Sequence, residues 1–333
     1  MEKRKFGHGG TLVSAIGIGA MSFSDFYGPT DTEQSHAILK MALDLGIDHI
    51  DTSNVYGNGK SEERIGSFLK MQGPGRHNLF KIATKAAITR DADGKNIINN
   101  SPEHLAAELD KSLQRLGVEQ VELFYVHRRD PARPVEEVTE TMAGFVKSGK
   151  VRQIGFSEIA PTTLARAAAV HPIGAVQSEY SLSTRSPELG LVQRTAELGA
   201  SLVAFCPVGR SLLTDTPHTF EKAQAMPFMK ANPRFLEPNL SLNIQASEGF
   251  RALAADMGVK TATLAMAWLL HQGEHILPIP GTRSTEHLQE LAKGADLKLS
   301  PSDLAEIDRR LPIGWAHGDR YSSAQWVAPE RYC

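Results

Sequence analysis

The sequence predicts an α/β protein built as a (β/α)8 barrel (a TIM barrel), and two observations lead to this fold class. Short apolar segments alternate with longer segments in which apolar residues recur at helical spacing. Apolar strands that are each followed by a helix are typical of parallel sheets covered on both faces. About eight such repeats in a chain of 333 residues close more readily into a barrel than they spread into an open sheet.

The predicted strands are short apolar runs that occur along the whole chain. They lie at residues 15–19, 49–51, 79–85, 123–127, 153–157, 175–179, 202–206 and 276–279. Ahead of the first strand, residues 6–14 contain Gly9 and Gly10, a pair typical of a hairpin turn. We therefore expect an N-terminal β-hairpin before the barrel begins.

Helices are predicted between the strands from apolar periodicity and from residues that start helices. In segment 32–45, Ile38, Ala42 and Leu45 fall on one apolar stripe. Ser101 and Pro102 supply a cap and a first-turn proline for a helix that runs to residue 116. Further helices are predicted over residues 61–69, 134–148, 161–169, 187–198, 248–257, 263–271 and 284–293.

One long segment after the seventh strand interrupts the repeat. Residues 209–242 are polar, contain four prolines and show no strand pattern. A connection of this length is either a functional loop or lid, or an ordered excursion over the surface, and the sequence leaves both open. No low-complexity tract or linker divides the chain, so we expect a single domain over residues 1–333.

Composition and charge exclude several classes of protein. Lys and Arg number 36 and Asp and Glu number 38, giving a formal net charge of −2. This balance lacks the basic excess of proteins that bind nucleic acid or membrane surfaces. Two cysteines form no disulfide framework, no apolar run reaches membrane-spanning length, and no signal peptide is visible. We expect a cytoplasmic protein with a small-molecule ligand; its oligomeric state is left open.

Polar residues at the strand ends are the candidate catalytic site, because in a parallel barrel these ends share one mouth. The candidates are Asp51, Tyr56, Lys85 and His127. A lysine ammonium lowers the pKa of a nearby tyrosine, an aspartate orients the lysine, and a histidine can hydrogen-bond a carbonyl oxygen. Each residue alone has an ordinary structural explanation. Their conjunction at successive strand ends predicts a site that polarises and protonates a C=O group.

Phosphate binding is predicted at the last strand–helix loop. Gly281, Thr282 and Arg283 follow the eighth strand, where hydroxyls, amides at a helix N-terminus and a guanidinium suit a phosphate. A capped helix with a surface arginine explains these residues equally well. The loop after the seventh strand is a candidate for a second phosphate. Gly17 and Gly19 lack the third glycine of a dinucleotide fingerprint, and no His or Cys cluster has metal-ligand spacing.

The sequence resembles the aldo-keto reductase family in segments that span nearly the whole chain in the family's order. They are residues 46–57, 83–85, 123–127, 155–158, 177–181, 203–210 and 279–283. Segments 177–182 and 233–235 also resemble a branch of microbial and plant single-domain reductases that includes pyridoxal reductase. The resemblance implies a barrel that uses NADPH to reduce aldehydes and ketones.

The resemblance also implies residue roles. Tyr56 is the expected proton donor, and Lys85 is expected to lower its pKa. Asp51 is expected to hold Lys85, and His127 to orient the carbonyl group. The expected cofactor contacts are Ser157 and Gln177 at the nicotinamide carboxamide, Phe205 on its ring, Val208, Gly209 and Arg210 at the pyrophosphate, Arg283 at the 2′-phosphate and Glu290 at adenine. Cys206, Pro207, Gly281, Thr282 and His287, which stands where many members have Arg, are also expected to bind the cofactor. The departures from the family pattern are Phe205 for Tyr, Cys206 for Ser, Ser211 for Gly and Leu291 for Asn.

Two other functions stay open at this point. The same fold serves as a cofactor-binding regulatory subunit of potassium channels, which would make the chain a redox sensor that docks a partner. An unrelated barrel lyase would use Lys85 to form a Schiff base. The substrate is not readable, because pocket loops vary most and fold does not determine function. The candidate pocket aromatics are Phe23, Phe26, Tyr27 and Trp315.

Overall fold

The N-terminal hairpin closes one end of the barrel. The structure, a computed structural model, describes residues 1–91 and 93–332. Strands β1 (Lys3–Lys5) and β2 (Leu12–Ser14) pair antiparallel, which confirms the predicted hairpin. Phe6 lies in the apolar cluster inside the barrel and accepts a hydrogen bond on its carbonyl oxygen from Gln153 Nε2 at 2.9 Å. The end opposite the C-terminal strand ends is therefore plugged.

Parallel strands in chain order form the central sheet, with a small antiparallel hairpin beside it. The barrel strands are β3 (Ile18–Gly19), β4 (His49–Asp51), β5 (Lys81–Ala86), β8 (Val121–Val126), β9 (Val151–Ser157), β10 (Ala175–Glu179), β11 (Ser201–Phe205) and β12 (Ile276–Pro278), and the hairpin strands are β6 (Ile88–Arg90) and β7 (Asn96–Ile98). Each predicted strand is present; β4 and β10 have the predicted ends, and the ends of the other strands differ from the prediction by at most three residues.

Two backbone hydrogen bonds join the first barrel strand to the last. The Gly17 N–H donates to the Pro278 oxygen and the Gly19 N–H donates to the Pro280 oxygen, both at 2.9 Å. Neither glycine has room for a side chain. A Cβ at Gly17 would lie 2.1 Å from His49 Nε2, and one at Gly19 would lie 2.5 Å from a backbone oxygen. This glycine pair therefore serves barrel closure.

Helices cover the outside of the sheet, and the larger apolar core lies between the two layers. The helices are α1 (Thr32–Asp44), α2 (Lys60–Met71), α3 (Pro102–Leu116), α4 (Val135–Lys147), α5 (Pro161–Val170), α6 (Leu191–Glu197), α7 (Phe220–Gln224), α8 (Asn239–Ala246), α9 (Glu248–Asp256), α10 (Thr261–Leu270), α11 (Thr285–Ala292) and α12 (Pro301–Arg310). Among the described residues no single helix is long and apolar enough to cross a membrane. The stretch of α8 and α9 reaches the required length and apolarity only when α10 is added, and the chain bends by 92° before α10.

Several elements differ from the expectation. The predicted helix over residues 187–198 is wrong in its first half, because Gly190 has φ of 120° and separates a 3-10 turn, Ser186–Glu188, from α6. The β6–β7 hairpin and the helices α7, α8 and α12 are not predicted. Helix α12 does carry a sequence signal, since Ser300 and Asp303 cap each other's backbone N–H groups in a capping box.

The long segment over residues 209–242 packs against the chain that follows α12. It contains α7, short 3-10 turns and the start of α8, and no strand occurs in it. Asn243 Nδ2 donates to the Arg234 oxygen at 3.1 Å and to the His317 oxygen at 3.0 Å. The segment is therefore an excursion joined to the C-terminal residues, which brings both close to the C-terminal ends of β9 and β10.

Candidate active site

The C-terminal ends of β4, β5 and β8 bring the four predicted catalytic residues together. Asp51 ends β4, Lys85 is the penultimate residue of β5, and His127 directly follows β8. Tyr56 lies in the turn after β4, where its N–H donates to the Ser53 oxygen at 3.2 Å. Neighbouring parallel strands end at the same rim, so the topology itself causes this convergence.

Lys85 Nζ is the centre of the group. It donates to Asp51 Oδ1, to the Thr52 backbone oxygen at 2.8 Å and to Tyr56 Oη at 3.2 Å. Its side chain is 0% exposed and that of Asp51 is 4% exposed. Each ammonium proton thus has an acceptor, which offsets the cost of burying the charge.

Burial and the Lys85 charge shift the pKa of Tyr56 in opposite directions. Burial raises the pKa of Tyr56 above its ordinary value of 10.0, and the Lys85 charge lowers it by a smaller amount. Lys85 thus lowers the pKa of Tyr56, as expected. The pKa nevertheless lies above 10.0, because burial has the larger effect. Burial also lowers the pKa of Lys85, but Asp51 and Tyr56 raise it by more. Tyr56 is therefore a protonated phenol beside a protonated amine.

His127 is a neutral imidazole that faces Tyr56. Its Nδ1 lies 3.1 Å from Ser53 Oγ, and its ring meets the Tyr56 ring edge-on at 5.8 Å between centroids. Burial, together with the Arg128 and Lys85 charges, lowers the pKa of His127 well below 6.5. Ser53 Oγ also lies 3.3 Å from the Lys85 backbone oxygen and from Asn54 Oδ1, so its single proton has three acceptors within reach and does not fix the tautomer of the ring. Nε2 has no hydrogen-bond partner in the described part of the chain, and in the tautomer protonated at Nε2 it is a donor for a carbonyl oxygen.

The residues predicted to hold the nicotinamide fit that group. Gln177 Nε2 donates to Asp51 Oδ2 at 2.7 Å, which leaves its Oε1 to accept a hydrogen bond. Ser157 Oγ accepts from Arg128 Nη1 at 3.1 Å, which leaves its own proton to donate. An acceptor and a donor are the pair that a carboxamide requires. Phe205 ends β11 with a half-buried ring at the edge of the interior cluster.

The loop after β11 has an unusual backbone. Cys206, Gly209, Arg210 and Ser211 have positive φ values of 51°, 58°, 52° and 89°, a region that side chains rarely adopt. Backbone of this kind can turn successive N–H groups into an anion-binding concavity. The Arg210 guanidinium is not free for that role, because it donates to both Glu179 carboxylate oxygens, at 3.0 and 2.8 Å. Pyrophosphate binding by this loop stays a prediction, carried by its backbone.

The predicted 2′-phosphate loop contacts the loop between β3 and α1. Arg283 Nη1 donates to the Pro29 oxygen at 2.9 Å. Ser284 caps α11 by accepting from the His287 N–H at 3.2 Å. The other candidates of this loop and helix are Gly281 and Thr282, which precede Arg283, the exposed His287 and the half-buried Glu290. Their contacts with a cofactor stay predictions.

The comparison with known proteins decides the family. The family model described as "Aldo/keto reductase family" matches residues 15–311. The chain belongs to the aldo/keto reductase family. The resemblance seen in the sequence is therefore confirmed.

Two relatives match this aldo-keto reductase over nearly its whole length. One, from Schizosaccharomyces pombe, is named an NADP(+) aldo-keto reductase; it is 36% identical over 317 residues, which cover 94% of this chain and 93% of that protein. The other, a probable aldo-keto reductase of Glycine max, is 38% identical over 318 residues, covering 95% of this chain and 91% of that protein.

Two solved structures share the fold of this reductase. The glycerol dehydrogenase of Gluconobacter oxydans aligns with a TM-score of 0.81 at 24% identity, covering 93% of this chain and 94% of that one. An aldo-keto reductase of Bacillus halodurans in its holo form aligns with a TM-score of 0.78 at 23% identity, covering 98% and 99%. At these identities the likeness concerns the fold alone, and it confirms the predicted (β/α)8 barrel.

A buried charge network beside the mouth of this aldo-keto reductase is not predicted from the sequence. We use this name for Glu158, Glu179, Arg210, Arg234 and Arg320. Arg210 and Arg320 bind Glu179 and Glu158, and Glu179 Oε1 lies 3.7 Å from Arg234. The sequence gives a hint of the two glutamates, since each directly follows a serine at a strand end. It does not indicate that the arginines pair with them, because the arginines come from other segments of the chain.

The four candidate pocket aromatics separate into two groups. The Phe26 ring contacts Tyr27 at 4.9 Å and Phe228, of the excursion, at 5.5 Å between centroids. Both Phe26 and Tyr27 are half-buried, as the lining of a pocket requires. Phe23 is 1% exposed and Trp315 is 9% exposed within the main apolar core. The structure therefore leaves Phe26 and Tyr27 as the candidates.

Proposed function

We propose that the chain reduces an aldehyde or ketone with NADPH, with Tyr56 protonating the carbonyl oxygen. The observation that carries this proposal is the position of Lys85 Nζ, bonded to Asp51 and 3.2 Å from Tyr56 Oη at the mouth of the barrel. Membership of the family supports carbonyl reduction, and the NADP(+) designation of the Schizosaccharomyces pombe relative supports the cofactor.

Bound NADPH supplies the hydride, and the residues of the chain supply orientation and the proton. Tyr56 Oη holds the proton to be transferred. Lys85 stabilises the phenolate that remains after transfer, and Asp51 keeps the ammonium in place. His127 Nε2 donates to the carbonyl oxygen as negative charge develops there. A buried setting strengthens each of these interactions, because water does not screen them.

The residues proposed to hold the cofactor follow from the fit described above. Ser157 and Gln177 bind the carboxamide, and Phe205 stacks on the nicotinamide ring. The Arg283 guanidinium suits bidentate contact with a phosphate, so we expect NADPH to be preferred over NADH. We also propose that residues 1–333 form one domain, that the protein is cytoplasmic, and that it has no nucleic-acid or membrane partner.

The experiment that tests this function uses NADPH deuterated at both positions of nicotinamide C4, with a panel of aldehydes and ketones. We expect loss of the reduced-nicotinamide absorbance and an alcohol that carries deuterium on the former carbonyl carbon. NADPH should be preferred over NADH, and Arg283→Ala should remove most of that preference. Tight NADPH binding without turnover of any carbonyl would contradict the proposal and favour the regulatory-subunit alternative.

Schiff-base chemistry at Lys85 is not proposed. A lysine that attacks a carbonyl group must present a neutral, accessible amine. Lys85 is unexposed, is bonded to three oxygens, and has a pKa raised by Asp51 and Tyr56 against the effect of burial. These contacts fit a structural ammonium that acts on Tyr56.

A further inference from the structure

Arg128 places a positive charge at the mouth, and no carboxylate of the described residues pairs with it. It directly follows His127, and its Nη1 donates to the His127 backbone oxygen at 2.7 Å and to Ser157 Oγ at 3.1 Å. Within residues 1–91 and 93–332, no Asp or Glu oxygen lies within 4.0 Å of its guanidinium nitrogens. The next residue, Arg129, is by contrast paired with Glu330.

The contacts of Arg128 hold one edge of the guanidinium and leave the other open. Both hydrogen bonds use Nη1, so Nε and Nη2 have no hydrogen-bond partner in the described chain. These two nitrogens are not among the buried polar atoms that lack a partner, and the residue is half-buried, so the open edge is reachable from outside. Two parallel N–H groups on one edge of a guanidinium match the geometry of a carboxylate.

The surroundings of Arg128 add positive charge. The Tyr321 ring, which lies near Arg128, has the guanidinium carbon of Arg320 at 4.8 Å and that of Arg210 at 5.7 Å from its centroid. Those two arginines belong to the buried charge network, which contains three arginines and two glutamates. In addition, Arg210 Nε and Arg320 Nη1 are buried with no hydrogen-bond partner among the described residues, and the nearest carboxylate oxygen to Arg320 Nη1 in an ion pair is Glu179 Oε2 at 3.6 Å. The network therefore has no spare negative charge for Arg128, and the local field favours an anion.

We propose that Arg128 binds a carboxylate of the substrate, so that the reductase acts on aldehydes or ketones that are also carboxylic acids. This inference rests on the proposed carbonyl reduction. Arg128 adjoins His127, the expected partner of the carbonyl oxygen, and after burial its charge is the largest of the effects that lower the pKa of His127. A carboxylate on the open edge of Arg128 thus lies within the length of a small substrate from the reacting group.

The test compares a charged substrate with its neutral isostere. The pairs are 3-formylbenzoate with 3-formylbenzamide and 4-formylbenzoate with 4-formylbenzamide, at saturating NADPH. We expect kcat/KM for at least one acid to exceed that of its amide by about tenfold, the strength of a charge-assisted hydrogen bond. Arg128→Met should remove this excess, and Arg128→Lys, which keeps the charge but loses the planar fork, should retain part of it.

A matched control is Arg133→Met, which removes an arginine from the same loop. Arg133 is half-buried, and its Nη1 lies 3.9 Å from a carboxylate oxygen of Glu137, so its charge, unlike that of Arg128, has an acidic neighbour. In this variant the ratio of kcat/KM for the acid to kcat/KM for the amide should equal that of the wild type. If Arg128→Met fails to fold, the comparison is made with Arg128→Lys, whose ratio should still fall below that of Arg133→Met.

Two results would overturn the proposal. One is a wild-type kcat/KM for the acid that is equal to or lower than that for the amide, in both pairs. The other is an equal loss for acid and amide in Arg128→Met together with weaker NADPH binding, which would make Arg128 a positioning residue for Ser157 and the cofactor. Calorimetric binding of the four ligands to the NADP(+)-loaded protein gives the same comparison without turnover. Reduction of the neutral amides reports separately on the proposed reaction.

Discussion

Lys85 is held by oxygen atoms from Asp51, Thr52 and Tyr56, and this arrangement determines what the tyrosine can do. An unexposed ammonium with three acceptors cannot turn towards solvent, so its charge acts steadily on the phenol oxygen. Burial raises the pKa of Tyr56, and the lysine opposes that effect. The proton is therefore kept at neutral pH, while the phenolate formed by its transfer is stabilised.

The neutral state of His127 predicts the pH dependence of the reaction. Its pKa lies well below 6.5 because of burial and the Arg128 and Lys85 charges, so the ring has lost its proton before neutral pH is reached. We expect kcat/KM for carbonyl reduction to show no histidine limb between about pH 6 and pH 8. His127→Gln should lower kcat/KM about 10²-fold across that range. A limb near pH 6.5 that disappears in the variant would disprove the neutral donor.

Single residues were predictable where the chemistry requires a residue type at a strand end. Lys85 and His127 stand out as polar residues after apolar runs, and the structure brings them together with Tyr56. The burial that raises the pKa of Tyr56 was not predictable, because it depends on how tightly the surrounding loops pack. Arg128 also follows an apolar run, but its lack of an acidic partner appears only in three dimensions.

At the scale of elements, close backbone approach decides the shape of the barrel. The predicted strands could be identified from short apolar runs, but their closure depends on Gly17 and Gly19, whose N–H groups reach the last strand. The hairpin of β6 and β7 was not predictable from apolar pattern, because its residues are exposed or half-buried. Gly190 likewise interrupts a segment whose apolar spacing alone indicates a helix.

A methyl group at Gly17 should weaken the barrel. The added Cβ would lie 2.1 Å from His49 Nε2, so either the ring or the strand must move. We expect Gly17→Ala to lower the free energy of unfolding by about 1–3 kcal/mol, the usual cost of overpacking a core. The measurement is urea unfolding at neutral pH.

The matched control is Gly144→Ala on α4, where an added Cβ meets nothing within 4 Å. That variant should raise the free energy of unfolding by about 0.5–1 kcal/mol, because alanine is the better helix former. If Gly17→Ala is as stable as the wild type, the steric conflict with His49 assigned to this position is wrong.

At the scale of the whole molecule, segments far apart in the chain meet on one side of the mouth. The excursion contributes Arg234 and the C-terminal segment contributes Arg320, which binds Glu158 across 162 positions of sequence. Such pairs leave no local pattern, so sequence analysis left the excursion unresolved between a lid and a surface segment. The barrel below them was predictable because each of its repeats is local.

Buried His49 couples the stability of the whole chain to pH. Burial lowers the pKa of His49 from 6.5 to about 4. The unfolded chain binds the proton near pH 6.5, so this stabilisation is complete above that pH and is lost as the pH falls towards 4. These two values predict a loss of about 2 kcal/mol in the free energy of unfolding between about pH 8 and pH 5.

Denaturant unfolding at the two pH values measures this effect. His49→Gln should show a smaller difference between them, whereas His8→Gln, at an exposed position in the hairpin turn, should behave as the wild type does. An equal pH dependence in the wild type and His49→Gln would assign the acid sensitivity to other groups.

The central claim is that Tyr56 gives its proton to the substrate oxygen, and the most direct measurement is carbonyl-dependent NADPH oxidation by the wild type and Tyr56→Phe. The substitution removes one hydroxyl, 3.2 Å from Lys85 Nζ, and keeps the ring. We expect kcat to fall by about 10²–10⁴-fold, the usual contribution of a positioned acid, while NADPH binding is retained. Equal rates in the two proteins would contradict the account.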